Sequence, residues 1–127
     1  TRKNPARLAR LVPKLLAPAT HRRRPELGRW LEAQIARQPA ATVAAAARGM
    51  ALRPDRLADL PGITAPTLII TGDRDELMPL PTSLAMQERI PDSSLAVIPG
   101  AAHLPNVERP DLFNAIVHAF LTDLDHA

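Results

Sequence analysis

The sequence predicts an α/β fold, with a helical half over residues 1–60 and a strand–helix–strand–helix unit over residues 61–127. Three observations carry that expectation. Proline-opened segments with helical spacing of apolar residues, or rich in alanine, fill the first half. The run "TLIIT", residues 67–71, is apolar throughout and stops at Gly72-Asp73, as a strand covered on both faces of a parallel sheet does. A second oily run, "LAVIP", follows one helix length later, and a strongly amphipathic segment closes the chain.

Taken in order, "NPARLARLVPKLL" begins with Asn4 as N-cap and Pro5 at the first helical position. Leu8, Leu11, Val12, Leu15 and Leu16 then form one stripe, which Pro13 should bend by removing a donor. "APATHRRR" reads as a connector. A second helix is expected near Pro25, with Leu27, Trp30, Leu31 and Ile35 on one face; Pro39 opens a third, and Pro54 a short fourth. After Pro61 the expected elements are a strand at 67–71, a helix at 82–90, a turn at "PDSS" and a strand at 95–98. "GAAHLPNVERP" reads as a loop. Pro110 opens the last helix, striped by Phe113, Ile116, Val117, Phe120, Leu121 and Leu124. Two strands oily on both faces leave backbone edges unpaired, so the rest of the sheet is expected from outside these residues.

The totals narrow the possibilities. A chain of 127 residues is at most one domain's worth, and 46% apolar content suits a folded one. No run approaches the roughly 18 apolar residues of a membrane span. The absence of cysteine excludes disulfides and thiolate metal sites. The first residue is Thr1, and the start is read as cut from something longer. Residues 1–60 hold 13 Lys or Arg against 4 Asp or Glu, a net of +9; residues 61–127 hold 3 against 9, a net of −6. With one Trp, two Phe and no Tyr, no aromatic interleaving accompanies the basic half, which argues against nucleic acid. A solvated helical surface, or a basic cover that attracts an anionic small substrate, accounts for the charge.

The acids at the end of the first strand and the histidine after the second bear on chemistry. "GDRDELMP" and "GAAHLPNVERP" follow the two strands, with 28 positions separating Asp75 from His103. In a parallel pair these loops leave the same sheet edge, where ligands bind in such folds. A carboxylate beside an imidazole fixes its tautomer and stabilises the imidazolium formed when it takes a proton. Asp73 and Asp75 also have a plain reading, as acceptors for turn amides.

In "APTLIITGDRDELMP", "ERIPDSSLAVIPGAAH" and "NVERPDLFNAIVHAFL" the sequence resembles the α/β-hydrolases from about Ile63 to Leu121. The order acid then histidine agrees with that family's Ser, Asp/Glu, His order. By the resemblance Asp75, in the Gly-x-x-Asp-x-x-x-Pro position, is the triad acid and His103 the base. Residues 1–60 look like the helical cap such enzymes insert ahead of the last two strands. Residues 61–127 look like the C-terminal βαβα part of the core. "LLAPATHRRRPELGRWLEAQI" and "HLPNVERPDLFNAIVHAFL" look most like the 3-oxoadipate enol-lactonase-like branch. The chain departs from the family in lacking a Gly-x-Ser-x-Gly elbow and an HGGG-type loop; its serines are Ser83, Ser93 and Ser94.

The resemblance therefore implies part of a serine-type hydrolase of an ester or lactone, with no cofactor and no metal. The nucleophile belongs to a missing N-terminal half, as a separate or nicked chain or as more of one polypeptide. A small-molecule substrate, a cytoplasmic location, no nucleic acid or membrane partner and an open possibility of homo-oligomers complete the expectation. Dehalogenases and C–C bond hydrolases are close alternatives within the fold, and a free-standing, non-catalytic module is the rival from another class. His21, His118 and His126 have no metal-ligand spacing. Glu108 either anchors the turn before Pro110 and supports the His103 loop, or is a simple helix-start charge. Trp30 on the cap helix reads as core ahead of the alternative, a substrate contact. Arg22, Arg23 and Arg24 read as solvated, with one of them a candidate partner for a substrate carboxylate.

Overall fold

The computed structural model describes residues 12–125; Asn4, Pro5, Leu8, Leu11 and His126 lie outside the described residues. Four helices come first: α1 (Val12–Leu15), α2 (Pro18–Arg23), α3 (Pro25–Ala36) and α4 (Ala40–Leu52). Proline occupies the first turn of α2 and α3, where a missing N–H breaks no intrahelical bond. The segment read as a connector is thus a helix. Its inward residue, Thr20, is 7% exposed and is held by a bond to Glu108, 88 residues away, which no local pattern reveals. A 3-10 turn, Leu57–Gly62, replaces the short helix expected from Pro54. Asp55 starts it, its Oδ1 accepting from the Leu57 amide at 2.9 Å.

The second half forms β1 (Thr67–Gly72), α5 (Leu80–Gln87), β2 (Ser93–Ile98), α6 (Pro105–Glu108) and α7 (Pro110–Asp125). The helix expected at 82–90 begins earlier, at Leu80. Pro79 is extended just ahead of it, and Pro81 falls in the first turn, where its ring is tolerated. "PDSS" is only half a turn. Ser93 and Ser94 already pair with Thr67 and Leu68, and the Thr67 amide donates to the Asp92 carbonyl at 2.9 Å. The loop expected after β2 contains α6, a single turn opened by Pro105.

β1 and β2 are parallel and in continuous register from Thr67 opposite Ser93 to Gly72 opposite Ile98. Among the described residues they form a two-stranded sheet. The most deeply buried side chains come from two distant stretches: Val12, Leu16 and Ala17 from the first, Ile98, Ala101, Ala102 and Glu108 from the second. Ala17 of the first stretch and Ala102 of the second meet on Glu108, whose two carboxylate oxygens accept from their amides. Elsewhere apolar surface stays open. α7 has no buried residue, its Phe113, Ile116, Val117 and Phe120 are half-buried, and Leu121 and Leu124 are exposed. Trp30, read as core, is 49% exposed, while Leu27, Leu31 and Ile35, expected on the same face of α3, are half-buried. Among the described residues no helix is long and apolar enough to cross a membrane.

One backbone contact sets the shape of the sheet's carboxyl edge. A Cβ on Gly72 would lie 2.2 Å from the Ala101 carbonyl oxygen and 2.4 Å from that of Ala102. Both obstacles are backbone, so nothing flexible can yield. Gly72→Ala should lower stability by at least about 1–3 kcal/mol, the usual range for overpacking. Gly62→Ala, where a Cβ meets nothing within 4 Å, is the control. Equal urea midpoints for the two variants would contradict the constraint.

Candidate active site

Because the strands end level, at Gly72 and Ile98, the loops that follow them run side by side. Three bonds lace them. The Asp73 amide donates to the Ile98 carbonyl at 3.2 Å, and the Arg74 amide to the Ala101 carbonyl at 2.9 Å. The Gly100 amide donates to Asp73 Oδ1 at 2.7 Å. Gly100 adopts φ +72°, which a residue with a side chain resists. Asp73 therefore belongs to the lacing between the loops.

Asp75 divides its oxygens between two tasks. Oδ1 accepts from the amides of Leu77 and Met78, each at 2.9 Å, closing the turn before Pro79. Oδ2 lies 2.9 Å from His103 Nδ1. The turn-amide role and the partnership with histidine are both filled, on one carboxylate. The amide bonds hold the carboxylate still, so that its second oxygen has one direction left.

Burial is graded across the pair. The Asp75 side chain is 7% exposed, whereas that of His103 keeps 34% of its surface. A carboxylate facing Nδ1 makes that nitrogen the donor and leaves Nε2 as the acceptor. The inner member orients, and the outer member is accessible to a reacting group. Such an imidazole can take a proton from a hydroxyl and return it to a leaving group.

Among the described residues no serine is hydrogen-bonded to His103, and Ser93 and Ser94 lie away from this edge. Ser83 is buried on α5. Ser93 Oγ donates to the carbonyls of Gln87 and Ile90 at 3.1 and 2.8 Å, at the opposite end of β2. At about 3.3 Å per residue, Ser93 is roughly 16 Å from the strand end that leads to His103. Ser94 is the next residue along the same strand. Among the described residues no group of three His, Cys, Asp or Glu side chains is placed to hold a metal ion.

Glu108 proves to be buried, at 1% exposure, and it ends α6, so it is no solvated helix-start charge. Its Oε1 accepts from the Ala17 amide at 2.7 Å and from Thr20 Oγ1 at 2.6 Å; its Oε2 accepts from the Ala102 amide at 2.6 Å. Arg24 is likewise not a freely solvated side chain, since its Nη2 donates to the Glu108 carbonyl. Arg22 and Arg23 remain exposed. Sequence reasoning pointed at the turn that Glu108 supports and missed Ala17, Thr20 and Arg24, whose partner lies 84 to 91 residues away. A cavity of about 670 Å³ adjoins this cluster, lined by Thr20, Arg23, Arg24, Glu108 and Arg109 among others, and touches neither Asp75 nor His103. Its position does not coincide with the paired acid and imidazole, and the pair, with defined geometry, is the better guide to chemistry. His21 packs against Gly28 with Nε2 buried and unpartnered among the described residues, and His118 is exposed on α7.

A family profile described as the alpha/beta hydrolase family matches residues 2–116. Among solved structures, a thermophilic esterase from Thermogutta terrifontis is 36% identical with a TM-score of 0.92, over 96% of this chain and 45% of that one. The enol-lactonase from Burkholderia xenovorans LB400 shares the fold, at 23% identity and a TM-score of 0.85, over 92% of this chain and 45% of that one. A 2-hydroxy-6-oxononadienedioate/2-hydroxy-6-oxononatrienedioate hydrolase from Pseudomonas sp is 40% identical over 62 residues, 49% of this chain and 22% of that protein. The chain thus spans less than half the length of these solved structures, and the match takes in under a quarter of that curated relative.

The pairing has a direct spectroscopic consequence. In the neutral imidazole, long-range proton–nitrogen correlation should find the His103 proton on Nδ1 and an unprotonated Nε2. A proton on Nε2 would contradict the geometry.

Proposed function

We propose, from the premise that this chain belongs to the alpha/beta hydrolase family, that it supplies the acid and the base of a serine-type hydrolase acting on an ester or lactone. The observation that carries the reading is the 2.9 Å contact between Asp75 Oδ2 and His103 Nδ1 at the carboxyl edge of two parallel strands. Asp75 orients and His103 moves protons. The nucleophile, a serine in this reading, lies outside the 127 residues, in an N-terminal half that also completes the sheet. The open edge of β1, the exposed apolar residues of α7 and the match to less than half of each solved relative support that partner. Residues 1–60 act as the cap, and the enol-lactonase-like branch is the preferred relative within the family.

In the first half of the reaction His103 Nε2 accepts the proton of the attacking hydroxyl as its oxygen bonds to the acyl carbon. The imidazolium, held by Asp75, returns that proton to the departing alkoxide, leaving an acyl-enzyme and an alcohol; in a lactone the hydroxyl stays attached to the acyl group. Water then gives its proton to Nε2 and its oxygen to the acyl carbon, and the serine is released with the proton regained. Cleavage of a C–C bond is the second reading, because the hydroxy-oxo-dioates in the name of the Pseudomonas hydrolase hold no ester or lactone bond to cleave.

The test is hydrolysis of a chromogenic short-chain ester by the complete hydrolase. Asp75→Asn and His103→Ala should each lower kcat by about 10⁴-fold, as loss of a triad member does elsewhere. Binding should change little. Hydrolysis that survives both substitutions would overturn the assignment. A folded, inert protein that gains no activity when joined to its N-terminal half would favour the non-catalytic module.

A further inference from the structure

We infer that Glu108 is a positioning residue for His103, fastening the loop that carries the base to helix α2 in the first half of the chain. The inference rests on the reading of His103 as a catalytic base and deepens it. Glu108 touches no reacting atom. Its Oε2 holds the amide of Ala102, the residue just before His103, at 2.6 Å. Its Oε1 holds the amide of Ala17 and the hydroxyl of Thr20, at 2.7 and 2.6 Å. The same residue is fixed along its backbone. Its amide donates to the Leu104 carbonyl at 3.0 Å, and its own carbonyl accepts from Arg24.

The chemistry of this junction calls for a carboxylate. Three donors converge on two oxygens, and a carboxylate accepts at both without presenting a donor of its own. Glutamine would turn an NH2 group toward at least one of those donors. Packing alone does not explain the choice, because dehydrating a carboxylate is costly and an apolar side chain would fill the space more cheaply. What the carboxylate does uniquely is tie two chain segments, 88 to 91 residues apart, in one geometry.

His103 is otherwise held from the β1 side. Asp75 fixes the ring through Nδ1, the Arg74 amide holds the Ala101 carbonyl at 2.9 Å, and Gly72 limits how the backbone at Ala101 and Ala102 can move toward β1. The bond from the Ala102 amide to Glu108 ties the same loop to the first half of the chain, because Glu108 is itself anchored on α2. Displacing α2 therefore loosens the imidazole. A misplacement of about 1 Å in a reacting group is enough to cost on the order of 100-fold in rate.

The experiment compares Glu108→Gln, Thr20→Val and Asp75→Asn in the complete hydrolase, measuring kcat, KM, thermal unfolding and the His103 ring resonances. Glu108→Gln should lower kcat by about 10- to 100-fold with KM within about twofold, and should shift or broaden the Nδ1–H signal. Thr20→Val removes one donor and leaves both backbone amides in place. It should give a smaller loss in the same direction, and it decides the matter if Glu108→Gln does not fold. Asp75→Asn separates this inference from the reading beneath it. If Asp75→Asn abolishes hydrolysis while Thr20→Val and any folded Glu108→Gln keep wild-type kcat, with only their melting temperatures lowered, Glu108 is structural and the inference falls. A rise in KM at constant kcat would overturn it too, by assigning the tie to substrate binding. If Asp75→Asn leaves hydrolysis intact, the underlying reading fails and the positioning role with it.

Discussion

The close approach of Gly72 to the carbonyls of Ala101 and Ala102 is the constraint on which the site depends. The parallel register ends both strands at one level, yet register alone leaves the following loops free to splay apart. A side chain at position 72 would force them to do so. With only hydrogen there, the backbone after β2 folds across the end of β1, and the Asp73 and Arg74 amides find carbonyls at Ile98 and Ala101. Asp75 and His103 then meet because the backbones beneath them are already in contact.

Three carboxylates serve three purposes, and the donors around each one decide which. Asp73 meets a loop amide and laces one turn to the other. Asp75 meets two amides of its own turn and one imidazole, so it is both rigid and directed. Glu108 meets donors from both halves of the described chain and almost no solvent, so it fixes the position of one segment against another. Chemically similar groups diverge in role because a carboxylate accepts from whatever donors the backbone brings to it.

The fold also explains why this chain is unevenly covered. Buried residues cluster in 12–20 and 98–108, while α4 buries nothing and α7 turns part of its apolar stripe outward. Strands with hydrophobic residues on both faces require layers on both sides. The chain matches less than half of the solved hydrolases with which it shares its fold, in agreement with a sheet and an apolar surface suited to more neighbours than the described residues provide.

What the sequence by itself determined is local. The runs at 67–71 and 95–98, the helices begun at Pro25, Pro39 and Pro110 and the stripe of Phe113 to Leu124 were legible because backbone preference and hydrophobic period act within a few residues. The meeting of an acid after β1 with His103 was legible as well, since parallel strands send consecutive loops to one edge, and the family resemblance singled out Asp75 over Asp73. Tertiary structure alone decided that residues 18–23 are helical, that Asp73 laces loops, and that Glu108, Thr20 and Arg24 form one junction. Those outcomes depend on hydrogen-bond partners 27 to 91 residues away. A donor and an acceptor carry no mark in the sequence of which distant group will face them, and only the packed chain brings them together.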